Sequence, residues 1–257
     1  MSYLNPLAAL PKLGICITPL ISMRDQAPAR REPDLMRAVQ TAEAAGADAI
    51  VLSFSERPSP QQRSDTETAL RAMTQTHLAM PLTPAMIELA DEVRPDAVYF
   101  TAIDSAECLT IADTTLQLIE QAVRQLTPQS IQLALSLDPF TAQLQAVADA
   151  GITAVEFQAK KFAHAQPGEQ DAQFAALRNA ILAAKRLGMT VHLGHGIDYH
   201  HIARLVTFGD IAQINVGHAI AARAISVGWE TAVRDMKALI IRASSQPTSH
   251  AMVGVDG

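Results

Sequence analysis

Two glycine–histidine groups lie near the end of the chain, Gly194-His195-Gly196 and Gly217-His218-Ala219. A glycine at a strand end lets the backbone come close to a ligand. If a helix begins just past Gly217, its first N–H groups have no partner within the helix and its dipole is positive there, which suits a phosphate. Two imidazoles would then flank the anion. The plainer alternative is that the glycines make turns and the histidines are partly buried hydrogen-bonders. Lys160-Lys161 is a further basic pair. In a loop facing the same site, either lysine could take a second anion, or form a Schiff base if its pKa fell; a solvated basic loop is the alternative. Cys16 could be a nucleophile, but no base is evident near it in sequence, and a small buried hydrophobe is the simpler reading. His192, His195, His200 and His201 are close in sequence, yet the first two flank a strand end and the last two start a helix. Convergence on a metal is therefore not expected.

The elements that must position these residues follow from one recurring pattern. In 38–53, 144–158 and 182–194 a helix-period stretch ends in glycine, and two residues later an apolar, β-branched run begins. Glycine just past a helix can adopt the left-handed conformation that ends it. The short apolar run then reads as a strand buried on both faces, the mark of a parallel sheet. Extended along the chain, the pattern predicts strands at 13–18, 48–53, 76–79, 97–101, 131–136, 153–158, 190–193 and 211–216. Helices are predicted at 35–45, 83–93, 105–125, 142–150, 169–187, 199–208 and 230–243, with a short extra helix at 217–227. Eight alternations with no Pro/Ser-rich linker favour a single closed (β/α)8 TIM barrel over 1–243. The extra helix after the eighth strand falls where such barrels commonly bind phosphate. An open doubly wound sheet is the competing architecture. In a barrel, chemistry belongs to the loops at the carboxyl ends of the strands, which here include 53–57, 79–81, 158–161, 194–196 and 215–218.

Composition narrows the partners. The net charge is −6, basic residues are scattered, and aromatics make up 4% of the 257 residues, so a nucleic-acid surface is not expected. Two cysteines, Cys16 and Cys108, are too few for a disulfide framework, which makes a reducing cytoplasm the expected compartment. No stretch approaches the roughly 20 apolar residues of a membrane span, and the first residues lack the basic lead of a secretory signal. The segment 244–257 has no apolar period and is expected to be a disordered tail.

The run VHLGHGIDYHHIARLVTFGDIAQINVGHAIAARAISVGWETAVRDMKALI, 191–240, resembles the C-terminal section of the pyridoxine 5′-phosphate synthase family. Both Gly-His signatures stand at the right separation, followed by the matching final helix. Weaker similarity covers GADAIVLSFSER, MPLTPAMIELADEVRPDAVYF and LSLDPFTAQLQAVADAGITAVEFQAKKFA. The resemblance implies a barrel that condenses 1-deoxyxylulose 5-phosphate with an amino-acetone phosphate, with no metal or organic cofactor, as a homo-oligomer. By position, His195 resembles the late acid/base histidine and Glu156 the strand-six glutamate of the site. Gly194, Gly196, Gly217 and His218 resemble the phosphate cradle, and Arg24 resembles the strand-one-loop arginine that meets a second phosphate.

Departures from the family pattern are concentrated at the catalytic end. Members carry Asn-x-Asp-His after strand one, where this chain has Cys16-Ile17-Thr18-Pro19. The strand-two histidine, a general base, is Ser53, and the strand-three glutamate is Ala79. Strand six leads into His-Thr-Gly-Arg-Tyr in the family and into Gln158-Ala159-Lys160-Lys161-Phe162 here. A positioned acid or base is worth about 10²–10⁴-fold, so losing two without replacement removes ordinary turnover by the family mechanism. His77 lies two residues before Ala79, on the same strand face but one layer deeper, and could lend an imidazole or be satisfied in the core. Three functions remain in play: an enzyme of altered chemistry on a phosphorylated small molecule, a non-catalytic binder of such a molecule or vitamer, and a synthase with a rearranged proton relay.

Overall fold

The structure is a computed structural model that describes residues 10–26, 32–103, 109–140 and 142–245. Its eight strands are β1 (Lys12–Cys16), β2 (Ala49–Ser53), β3 (Gln75–Pro81), β4 (Ala97–Thr101), β5 (Gln132–Leu137), β6 (Ala154–Gln158), β7 (Thr190–Gly194) and β8 (Gln213–Val216). Each pairs in parallel with its neighbour in sequence, and β1 closes on β8 with Lys12 opposite Gln213 and Ile15 opposite Val216. The chain is therefore a (β/α)8 TIM barrel, and the open sheet is excluded.

The helices are α1 (Thr18–Asp25), α2 (Leu35–Ala44), α3 (Pro60–Ala69), α4 (Pro84–Val93), α5 (Asp113–Leu126), α6 (Leu144–Asp149), α7 (Lys160–Ala163), α8 (Gln170–Arg186), α9 (Ile202–Val206), α10 (His218–Val227) and α11 (Trp229–Ser244). In α2 the Asp34 side chain accepts from the Arg37 N–H, and Leu35, Ala38, Val39 and Ala42 form the buried stripe. The glycines that end the predicted helices, Gly46, Gly151 and Gly188, all have positive φ, between 74° and 101°.

Three local expectations change. Thr18 starts α1 instead of ending β1, because Pro19 has no N–H to give to a ladder and sits readily in the first turn of a helix. Between β2 and β3 the chain forms α3, which the apolar pattern does not reveal. Its signal is a capping box, Ser59 accepting from the Gln62 N–H while the Gln62 side chain accepts from the Ser59 N–H, with Pro60 in the first turn. The helix expected from 105 begins at Asp113; 104–108 lie outside the described residues, as does 246–257, on which most of the expected tail falls.

Strand residues alternate between two different environments. Outward-facing Leu13, Ile15, Ile50, Leu52, Leu78, Val98, Phe100, Leu135, Val155, Phe157, Val191 and Ile214 are buried beneath the helices and form the main core. The inner face is small or polar. Gly14, Ala49, Ala97, Ala134 and Ala154 leave room there for His77, Tyr99, Ser136, Glu156, Gln158, His192, Gln213 and Asn215. Contacts between strands that are not neighbours, such as Tyr99 on β4 with His192 on β7, can only cross the barrel interior.

Candidate active site

Glu156 stands on β6 in register with Ser136 on β5 and His192 on β7, facing inward just below the carboxyl rim. It is buried. The Ser136 hydroxyl donates to Oε1 at 3.0 Å, and Asn215 Nδ2 donates to Oε2 at 2.6 Å. His195 Nδ1 lies 3.6 Å from Oε1, an ion-pair distance longer than a hydrogen bond. Burial pushes the carboxyl pKa up, but His195, Asn215 and Ser136 together outweigh it and hold the group below its ordinary value. The same carboxylate raises the His195 pKa against burial and the nearby Lys160 charge. The pair is a buried carboxylate beside an imidazole whose side chain remains 42% exposed.

Local backbone explains how β7 supplies this geometry. A Cβ on Gly194 would lie 2.5 Å from Glu156 Oε2, so the carboxylate occupies space that only glycine leaves open. His195 then takes φ 58°, a left-handed conformation that few residues with a side chain adopt, and Gly196 follows at φ 80°. The turn packs closely on the start of α7: a Cβ on Gly196 would come within 2.8 Å of Lys160 Cα. Lys160 is thereby brought beside His195. Lys161 pairs with Asp138 at 2.8 Å.

Gly217 is the N-cap of α10, with no side-chain cap, and His218 is the exposed first residue of that helix. A Cβ on Gly217 would be 2.9 Å from that of Cys16, so the α10 entrance is pressed against the end of β1. Because β7 and β8 are parallel neighbours, both Gly-His groups lie on one rim. Arg24, at the end of α1, donates to both oxygens of Asp65 on α3 at 2.8 Å each, and also to Asp25. These carboxylates raise its pKa further, with Asp65 the larger influence.

On the far side of the rim, Ser53 stands opposite Ala79. The Ser53 N–H donates to Thr18 Oγ1 at 3.1 Å, and the Cys16 thiol donates to the same oxygen at 3.3 Å. No imidazole or carboxylate takes part in these contacts. The clustered histidines diverge as the sequence implies: His192 points into the barrel, while His201 pairs with Asp198 and meets the Phe162 ring edge-on. Among the described residues no group of three or more His, Cys, Asp or Glu is arranged to hold a metal ion.

One layer below the rim is a polar network that sequence reasoning did not assemble. His77 faces inward, as one of its two readings required, and is also satisfied there: its Nδ1 is 3.1 Å from Gln213 Nε2 and 3.3 Å from the Tyr99 hydroxyl. Tyr99 lies 2.7 Å from His192 Nδ1. Gln213 Nε2 donates to Asn215 Oδ1 at 2.8 Å, which links the network to Glu156. Burial lowers both imidazoles to about 4 and raises the Tyr99 phenol far above its ordinary value. The available signal was period-two polarity within the strands, Gln213 and Asn215 in β8 and Glu156 and Gln158 in β6.

The fold and site define a TIM barrel with a titratable pair and an uncapped helix entrance on its carboxyl rim, where such barrels carry their chemistry. The chain belongs to the family described as pyridoxal phosphate biosynthesis protein PdxJ, whose model matches residues 13–242. Solved structures share the fold at low identity. A BexX/CysO complex from Amycolatopsis orientalis aligns with a TM-score of 0.61 at 16% identity, covering 96% of this chain and 95% of that chain. A mandelate oxidase aligns with a TM-score of 0.57 at 11% identity, covering 91% and 73%. Among the described residues no helix is long and apolar enough to cross a membrane.

Proposed function

We propose that this family member binds a small phosphorylated substrate at the rim formed by β7, β8 and α10, and works on it with a reduced set of acid/base groups. Gly194, Gly196, Gly217 and His218 form the phosphate cradle, Glu156 and His195 are the acid/base pair, and Arg24, Lys160 and Lys161 meet further negative charge. The observation that carries the reading is the Glu156–His195 pair on the same rim as the uncapped entrance of α10. A phosphate held there would receive main-chain N–H groups and the positive end of the helix dipole. His195, whose affinity for a proton Glu156 raises, would when protonated give a proton to a substrate oxygen, and the carboxylate would stabilise the imidazolium until the proton is given. No metal or organic cofactor enters this scheme. The protein is taken to be a homo-oligomer, as the resemblance implies, in the reducing cytoplasm that its few cysteines suggest.

Altered chemistry follows from Ser53 and Ala79, which stand where the family pattern has a histidine and a glutamate. Neither side chain carries protons near neutral pH, and their contacts supply no substitute. The same observation favours a second reading, a non-catalytic binder of a phosphorylated metabolite or vitamer.

One set of measurements separates the readings. Purified protein is mixed with 1-deoxyxylulose 5-phosphate and the amino-acetone phosphate, and ring product is followed by absorbance. Clear turnover at the family's rate would refute the account of the missing bases. A melting-temperature rise with inorganic phosphate or pyridoxine 5′-phosphate, without turnover, supports the binder. His218→Ala and Gly217→Val should each weaken that rise more than Ser53→Ala, and equal effects would mean the phosphate end is misassigned.

A further inference from the structure

The interior network has a direction. Glu156 is held below its ordinary pKa, and a carboxylate only accepts, so the Asn215 amide must turn its NH2 toward Oε2. Asn215 Oδ1 then faces down the barrel and needs a donor, which is Gln213 Nε2. The second N–H of Gln213 is left for His77 Nδ1 at 3.1 Å and the Tyr99 oxygen at 3.2 Å. Tyr99 has a single O–H, and its short contact at 2.7 Å goes to His192 Nδ1. Every step is therefore assigned if both imidazoles carry their proton on Nε2 and present a lone pair on Nδ1. Reversing any one amide would put two donors or two acceptors face to face somewhere along the chain, in a buried interior where unpaired polar groups are costly.

The five side chains come from β3, β4, β7 and β8, and of these only Asn215 is hydrogen-bonded to Glu156. Gly14 on β1 makes the arrangement possible, since a Cβ there would lie 2.0 Å from Asn215 Oδ1 and 2.9 Å from Gln213 Nε2. From this geometry we infer that His77, Tyr99, His192 and Gln213 are positioning residues that fix the orientation of the Asn215 amide and thereby keep Glu156 an ionised acceptor. The inference rests on Glu156 being the working carboxylate of the proposed site. It extends that site by a layer that never meets substrate. Because coupling is reciprocal, the state of Glu156 also favours one tautomer at His77. The titratable groups facing His77 are Tyr99, His192 and Glu156 within the barrel, with Lys12 and Asp96 at its amino end.

The test uses the full chain and needs no substrate. His77→Leu removes the nearer of the two acceptors that hold the second N–H of Gln213. His77→Asn keeps one, since the amide oxygen of asparagine stands near the place of Nδ1. Carbon-13 NMR of the Glu156 carboxyl should show its titration rising by about one pH unit in His77→Leu, tenfold in proton affinity, and staying near the wild-type value in His77→Asn. Nitrogen-15 spectra of the wild type should show neutral Nε2–H tautomers at His77 and His192. If His77→Leu does not fold, Gln213→Met removes the donor to Asn215 and should raise the Glu156 titration in the same way. Equal shifts in both His77 variants, no shift in any variant, or an Nδ1–H tautomer at His77 would each overturn the inference. Failure of phosphate to raise the melting temperature would instead count against the proposed site and leave these titrations as they are.

Discussion

Replacing His77 and His192 together by asparagine removes two imidazoles that the barrel interior holds neutral, and the consequence should appear in stability against pH. Both have folded-state values lowered from 6.5 to about 4, chiefly by burial. In the unfolded chain they protonate near their ordinary value, so between those limits the unfolded state binds more protons than the folded one. Stability must then fall as pH falls from about 6.5 toward 4. Comparing a pH near 8 with one near 5, linkage gives a loss of about 2 kcal/mol for each histidine, or about 4 kcal/mol for the two. That is a large part of the roughly 5–15 kcal/mol that holds a domain together. Urea denaturation at the two pH values, in the wild type and in the double variant, measures it. The Glu156–His195 pair is present in both proteins, and its own pH dependence cancels in the difference. The wild type should lose about 4 kcal/mol more than the double variant over this range. Parallel stability–pH profiles would mean that the two imidazoles are not buried and neutral, and the account of the interior would fail.

Further outcomes follow from the site. Gly194→Ala should push Glu156 aside and return the His195 titration toward about 6.5, as read by proton NMR; a wild-type His195 titration would refute the steric argument. Arg24→Ala leaves Asp65 buried without its bidentate partner, so urea denaturation should show a loss of about 3 kcal/mol; a change under about 0.5 kcal/mol would show that the pair contributes little. Inorganic phosphate should bind best below the raised His195 pKa and weaken as pH climbs through it, because the imidazolium then loses its charge. Calorimetry that finds affinity flat across that range would remove His195 from the anion site.

Strand order was legible in the chain because every strand carries an outward apolar run, and β2, β6 and β7 each also follow a glycine whose positive φ ends the preceding helix. These are local properties, set by backbone sterics and by the need to bury one face. Local signals also marked the Gly-His groups, since glycine at a strand end and an open helix entrance are short-range features. α3 escaped because it has little apolar period and is specified by its cap. The interior network escaped for a different reason. His77, Tyr99, His192 and Gln213 are far apart along the chain, and each looks like an isolated polar residue within a strand. Only closure of β1 on β8 brings them within hydrogen-bond reach, and only then do their lone pairs and protons have to agree. Whether a buried polar side chain is a cost or a support depends on partners that the fold supplies from other strands.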